Sequence, residues 1–174
     1  MHPLIEYQIP VKGLKSGSHS FVFQVDESFF YNFQNTILER GQFKVTLVLE
    51  KRPEMMLMQF DMDGFMETEC DRCLVPIKLP IHQTHEMIVK FEQDLDVDDI
   101  DVIFLPPETN HFDISNLVYE LLLLSVPMIK TYNCEDDNPP PCNQSMLKHL
   151  YRPANAKDDG EQQDPTWDIL KDIN

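Results

Sequence analysis

The residues best suited to chemistry are the four cysteines. They fall into two pairs, Cys70 and Cys73 around Asp71-Arg72, and Cys134 and Cys142 around an acidic, triple-proline loop. Two thiols separated by two residues can aim both sulfurs at one tetrahedral ion, and a second pair from a distant segment completes a four-thiolate set. The spacing therefore predicts one structural zinc held by Cys70, Cys73, Cys134 and Cys142, with Zn–S near about 2.3 Å. Four thiolates leave no open position, so a catalytic zinc ranks lower. Disulfides also rank below zinc. The stretch Met1-His2-Pro3-Leu4-Ile5-Glu6-Tyr7 has no basic or apolar export pattern, which predicts a reducing compartment. A redox dithiol needs a helix N-terminus to lower its thiol pKa, and Pro76 opposes a helix there. Glu67, Glu69 and Asp71 would disfavour a free thiolate as well, with Arg72 alone offsetting them. Four unconnected thiols are the remaining alternative.

Other chemistry is thin. His82 and His85 are three apart on one predicted strand and so lie on opposite faces, unable to share an ion. His149 follows Cys142 and could stand in for a cysteine ligand, but the four thiols suffice. Asp94, Asp96 and Asp98 invite a calcium reading, which fails. Counted from Asp94, the positions needing Gly and Glu hold Asp99 and Leu105. No Gly-rich phosphate loop, nucleophile elbow or zinc-protease motif is present. Nothing in these residues demands an enzyme.

The elements that must position the cysteines are mostly strands. Phe43, Val45, Leu47 and Leu49 alternate with Lys44, Thr46, Val48 and Glu50, and Met56, Met58, Phe60 and Met62 with Met55, Leu57, Gln59 and Asp61, while Arg52-Pro53-Glu54 turns between the two runs. The second strand resumes after Gly64, expected at a bulge or bend, and delivers Cys70 at its end. Further strands are expected at residues 4–9, 20–25, 81–92 and 102–105. Asp26 caps a short helix over residues 26–33. Asp113 caps the clearest helix, residues 114–125, whose Ile114, Leu117, Val118, Leu121, Leu122 and Leu124 predict a largely buried element. Another short helix is expected after Cys142, over residues 144–151. The pattern predicts an α+β chain: an antiparallel β-rich domain, a curved sheet or partly open barrel, with one buried helix and a short helical C-terminal tail. Residues 1–152 form a single domain closed by the zinc site. Residues 153–174 form a flexible acidic tail ending in a Trp167-containing turn.

With 174 residues and 42% hydrophobic content, the chain can bury a sizeable core. Its net charge of −16 repels phosphate backbones and anionic bilayers and attracts basic proteins. Extensive direct RNA binding is therefore disfavoured. No apolar run approaches the roughly twenty residues of a membrane span, and a soluble, cytoplasmic protein is expected.

The order of these elements resembles the YceD family of large ribosomal RNA subunit accumulation proteins. The resemblance rests on Cys70-Asp71-Arg72-Cys73-Leu74, the helix from Phe112-Asp113-Ile114 to Val126-Pro127, the second cysteine pair and the terminal Asp164-Pro165-Thr166-Trp167. Thr166 stands where that family's pattern has Arg. The resemblance implies a non-enzymatic part in accumulating 23S ribosomal RNA or assembling the large subunit. Combined with the charge, it points to a basic ribosomal protein, an assembly factor or a pre-ribosomal particle as partner. Asp96, Asp98 and Asp99 of the acidic stretch, with Glu135, Asp136 and Asp137, are the expected contact surface, and Trp167 is an expected aromatic anchor. The rival reading is a zinc-dependent or thiol redox enzyme.

Overall fold

The computed structural model describes residues 4–33, 37–92, 102–134 and 137–150. Period-two alternation becomes a five-stranded sheet of order β2-β3-β4-β5-β6, formed by β2 (Gly17–Val25), β3 (Gly41–Lys51), β4 (Met55–Glu69), β5 (Pro76–Phe91) and β6 (Val102–Leu105). Both ends of the sheet stay open, so it is not a barrel. A separate two-stranded sheet pairs β1 (Gln8–Ile9) with β7 (Phe112–Asp113), antiparallel. Among the described residues the α-helices are α1 (Glu27–Phe30), α2 (Ser115–Leu124) and α3 (Gln144–Leu150). The α+β class holds. One strand departs from the antiparallel expectation, because β6 pairs parallel to β5, from Ile88↔Val102 to Phe91↔Leu105. Parallel neighbours require a crossover rather than a hairpin.

Alternation decides which residues enter the core. Phe43, Val45, Leu47 and Leu49 of β3 and Met56, Met58, Phe60 and Met62 of β4 are all at most 2% exposed. They share one apolar cluster with Val118, Leu121 and Leu122 of α2, and with Tyr7, Phe29 and Phe30 near the N-terminus. Burying each such large side chain contributes about 1.5–3 kcal/mol. The polar half of the alternation, Gln42, Lys44, Glu50, Gln59, Asp61 and Asp63, faces solvent.

Helix α2 buries less than its composition promised. Val118, Leu121 and Leu122 form a single i, i+3, i+4 stripe against the core, whereas Leu124 is 73% exposed. Asp113 supplies a cap, its Oδ1 accepting the Ser115 N–H at 2.9 Å, one residue ahead of the geometric N-cap, Ile114. Asp26 caps α1 as expected, accepting the Ser28 N–H at 2.9 Å.

Gly64 does not mark a bulge. The β3–β4 register runs unbroken from Gly41↔Met66 to Lys51↔Met56. Glycine is required for close approach instead, since a Cβ there would overlap the Gln42 carbonyl oxygen and stand 2.7 Å from Phe43 Cα. The expected strand at residues 4–9 is mostly a 3-10 turn, Ile5–Tyr7, with β1 following it. The expected acidic tail and Trp167 lie outside the described residues.

Candidate metal centre

The β4–β5 hairpin ends in the cysteine knuckle. Its antiparallel register closes at Glu69↔Pro76, leaving Cys70 to Val75 as the connection. The Cys70 N–H donates to Val75 O at 2.9 Å and the Leu74 N–H to Cys70 O at 2.8 Å. Closing so tight a turn puts Leu74 at φ 58, a left-handed conformation that a non-glycine residue adopts only when its surroundings impose it.

The later cysteines reach this hairpin through Lys130. The Asp71 N–H donates to Lys130 O at 2.8 Å, and the Lys130 N–H returns to Asp71 Oδ2 at 2.7 Å. That reciprocal pair fixes the incoming segment, and Cys134 follows. Cys142 directly precedes the capped start of α3, where Asn143 Oδ1 accepts the Ser145 N–H at 3.1 Å. Leu147 of α3 then packs on the cysteines together with Val75, Ile77 and Tyr132.

All four sulfur-bearing residues thus form one buried cluster, exposed by 1% (Cys70), 2% (Cys73), 3% (Cys134) and 9% (Cys142). They line one small cavity with Tyr132 and Pro141. In this structure Cys134 and Cys142 are joined as a disulfide, while Cys70 and Cys73 are free thiols. Among the described residues, no group of three or more His, Cys, Asp or Glu is set to hold a metal ion.

The electrostatics of the cluster suit anionic sulfur. Burial pushes the Cys70 thiol up, but hydrogen bonds from the Tyr132, Arg72 and Cys73 backbone, together with the Cys73 side chain, outweigh it and hold the thiol below its ordinary value. Arg72 Nη2 donates to Cys134 Sγ at 2.9 Å and lies 3.9 Å from Cys142 Sγ. Its Nε is buried with no hydrogen-bond partner among the described residues. A guanidinium aimed at sulfur is a strong interaction when the sulfur is a thiolate and a weak one when it is half of a disulfide. Reduction of the later pair would leave four thiols in this one cluster, the donor chemistry of a thiolate-bound metal. Cys70, Cys73, Cys134 and Cys142 would hold it.

Other expected site residues fare differently. Asp96, Asp98, Asp99, Glu135, Asp136 and Trp167 lie outside the described residues. Asp137 is engaged within the chain, its Oδ2 accepting the Tyr132 hydroxyl at 2.7 Å. His82 and His85 do sit on opposite faces: His82 Nδ1 is 3.5 Å from Asp63 Oδ1, and His85 Nε2 is 3.4 Å from Ser125 Oγ. His149 is exposed on α3. From the sequence Arg72 is only a nearby charge; its aim at the later sulfurs is visible in the fold. Its place between the knuckle cysteines was the available signal.

The sequence pattern of the family described as large ribosomal RNA subunit accumulation protein YceD matches residues 58–174. The chain belongs to the YceD family. The matched region takes in most of β4, the knuckle, α2 and both later cysteines, so the candidate centre falls wholly inside it. No curated protein and no solved structure matches the chain. The YceD name describes an accumulation factor for large-subunit RNA and names no reaction. No helix among the described residues is long and apolar enough to cross a membrane.

Proposed function

We propose that this chain is a non-enzymatic accessory factor in 23S ribosomal RNA accumulation or large-subunit assembly. It works in the cytoplasm through a basic ribosomal protein, an assembly factor or the pre-ribosomal particle. Membership of the YceD family is the observation that carries this reading. The net charge of −16 supports a basic protein contact over a broad grip on RNA. Asp96, Asp98, Asp99 and Trp167 are assigned to that contact. One structural zinc on Cys70, Cys73, Cys134 and Cys142 completes the fold by cross-linking the β4–β5 hairpin to the later segment. The shared burial of the four cysteines and the position of Arg72 support it.

The Cys134–Cys142 disulfide is the observation that favours the enzyme alternative, a zinc-dependent or thiol redox catalyst. Such chemistry needs a reachable thiolate or an open metal position, and Cys70 and Cys73 are 1% and 2% exposed. The accessory reading is therefore preferred.

Two measurements on the intact chain test the proposal. Protein purified under reducing conditions without added zinc should contain one zinc, and its four thiols should resist alkylation until a chelator is added. Neutralising Asp96, Asp98 and Asp99 together should reduce cosedimentation with large-subunit precursors without changing thermal stability. Freely alkylated thiols in metal-free protein would remove the zinc. Unchanged cosedimentation would remove the acidic contact.

A further inference from the structure

A second concave site lies two rungs from the cysteine hairpin, on the solvent face of the sheet. It is a cleft of about 430 Å³ between α1 and the strands, and its lining includes Asp26, Glu27 and Tyr31 from the α1 segment, Phe65 and Glu67 from β4, and Lys78 from β5. Tyr31 is 80% exposed, an unusual cost for a large aromatic ring with no visible role in the core. Phe65 and Glu67 are neighbours on the same face, and Glu67 pairs across the ladder with Lys78. Three carboxylates thus meet one ammonium in a cleft with aromatic walls.

The chain shows what such walls attract. Lys78 Nζ stands 4.5 Å from the centroid of the Phe65 ring and 3.2 Å from Glu67 Oε1, although its side chain is 66% exposed and free to extend into water. An aromatic face beside a carboxylate is a cation site, and here it holds the chain's own lysine. Two further carboxylates, Asp26 and Glu27, remain across the cleft. The Ser28 hydroxyl and backbone hydrogen bonds hold the Asp26 carboxyl below its usual range despite slight desolvation, keeping it ionised.

We infer that this cleft receives an arginine side chain from a basic protein segment, displacing Lys78 from Phe65 and Glu67. The planar guanidinium stacks on aromatic rings and forks onto carboxylates in a way an ammonium cannot match. Phosphate would meet a net negative lining, so RNA is the disfavoured occupant. The proposal rests on the accessory-factor reading for its class of partner, but names a site separate from the acidic stretch.

The test uses the full chain and a fluorescent peptide of alternating arginine and glycine, with citrulline replacing arginine in its neutral counterpart. The arginine peptide should bind and the citrulline peptide should not. Tyr31→Ala and Glu67→Gln, both at exposed or half-exposed positions, should each weaken binding by about threefold, the scale of an exposed cation–aromatic or ion-pair contact. Lys78→Met should tighten it by a similar factor, because the internal competitor is gone, while Lys148→Met, an equal change in net charge elsewhere, should leave it unchanged. Equal binding of the two peptides, wild-type affinity in Tyr31→Ala, or equal effects of the two lysine substitutions would each overturn the site. Cosedimentation with large-subunit precursors is measured alongside. If it persists while the peptide effects are absent, only the cleft fails. Its absence in the wild type rejects the accessory reading instead.

Discussion

If the proposed zinc is bound, replacing Arg72 with Met should weaken its binding while leaving the metal-free protein as stable as before, or more so. Two terms of opposite sign meet at this side chain. Arg72 Nη2 donates to Cys134 Sγ at 2.9 Å, and a charge-assisted bond of this kind contributes about 1.5–3 kcal/mol when the sulfur is a thiolate. At 1.4 kcal/mol per decade, its loss raises the zinc dissociation constant by about 10- to 100-fold, the usual range for a residue that supports metal ligands. Against this, Arg72 Nε is buried without a partner among the described residues, which costs about 1–3 kcal/mol whether or not metal is bound. Methionine keeps much of the apolar stem and removes that cost. Competition with a chromophoric chelator gives the dissociation constant, and melting with and without chelator separates the two terms. The zinc-loaded variant should melt lower than wild type, and the chelated variant at the same temperature or higher. A dissociation constant within twofold of wild type, together with a lower melting temperature in chelator, would refute the reasoning and make Arg72 a packing residue.

Other outcomes follow from the frame around the centre. Gly64→Ala should destabilise by about 1–3 kcal/mol, since the new Cβ must push β3 from β4, and lower Tm by about 5 °C. Gly13→Ala, whose Cβ would meet only Pro10 at 3.9 Å, should stay within about 0.5 kcal/mol, and equal melting of the two variants would contradict the close-approach account. Asp26, held below the usual carboxylate range chiefly by the Ser28 hydroxyl, should stabilise the fold fully above about pH 4 and lose that contribution as pH falls through its lowered value. Asp26→Asn should therefore flatten the acid limb of a Tm–pH profile, and an unchanged limb would count against the cap.

Much of the sheet was legible because its two central strands carry strict alternation. Val45 and Leu47 on β3, and Met58 and Phe60 on β4, could face only one way. The hairpin that ends in Cys70 was legible for the same reason, and the approach of Cys134 and Cys142 was legible in the pairing of the four thiols. The parallel pairing of β6 was not, because periodicity within Val102–Leu105 carries no direction. Helix α2 misled through composition. Its leucines outnumber the positions that one face of a ten-residue helix can bury, and Leu124 was left outside. The aim of Arg72 depends on how the later segment docks through Lys130, a contact between residues 59 apart. The cleft between Tyr31 and Phe65 was likewise hidden, since it joins a helix and two strands distant in sequence.

The ratio of large- to small-subunit ribosomal RNA in cells lacking this chain tests its proposed role most directly. Loss of the chain should lower mature large-subunit RNA relative to small-subunit RNA. Wild-type protein should restore the ratio, and a Cys70→Ser, Cys73→Ser double variant should fail to do so. A ratio unchanged by removal of the chain would contradict the account.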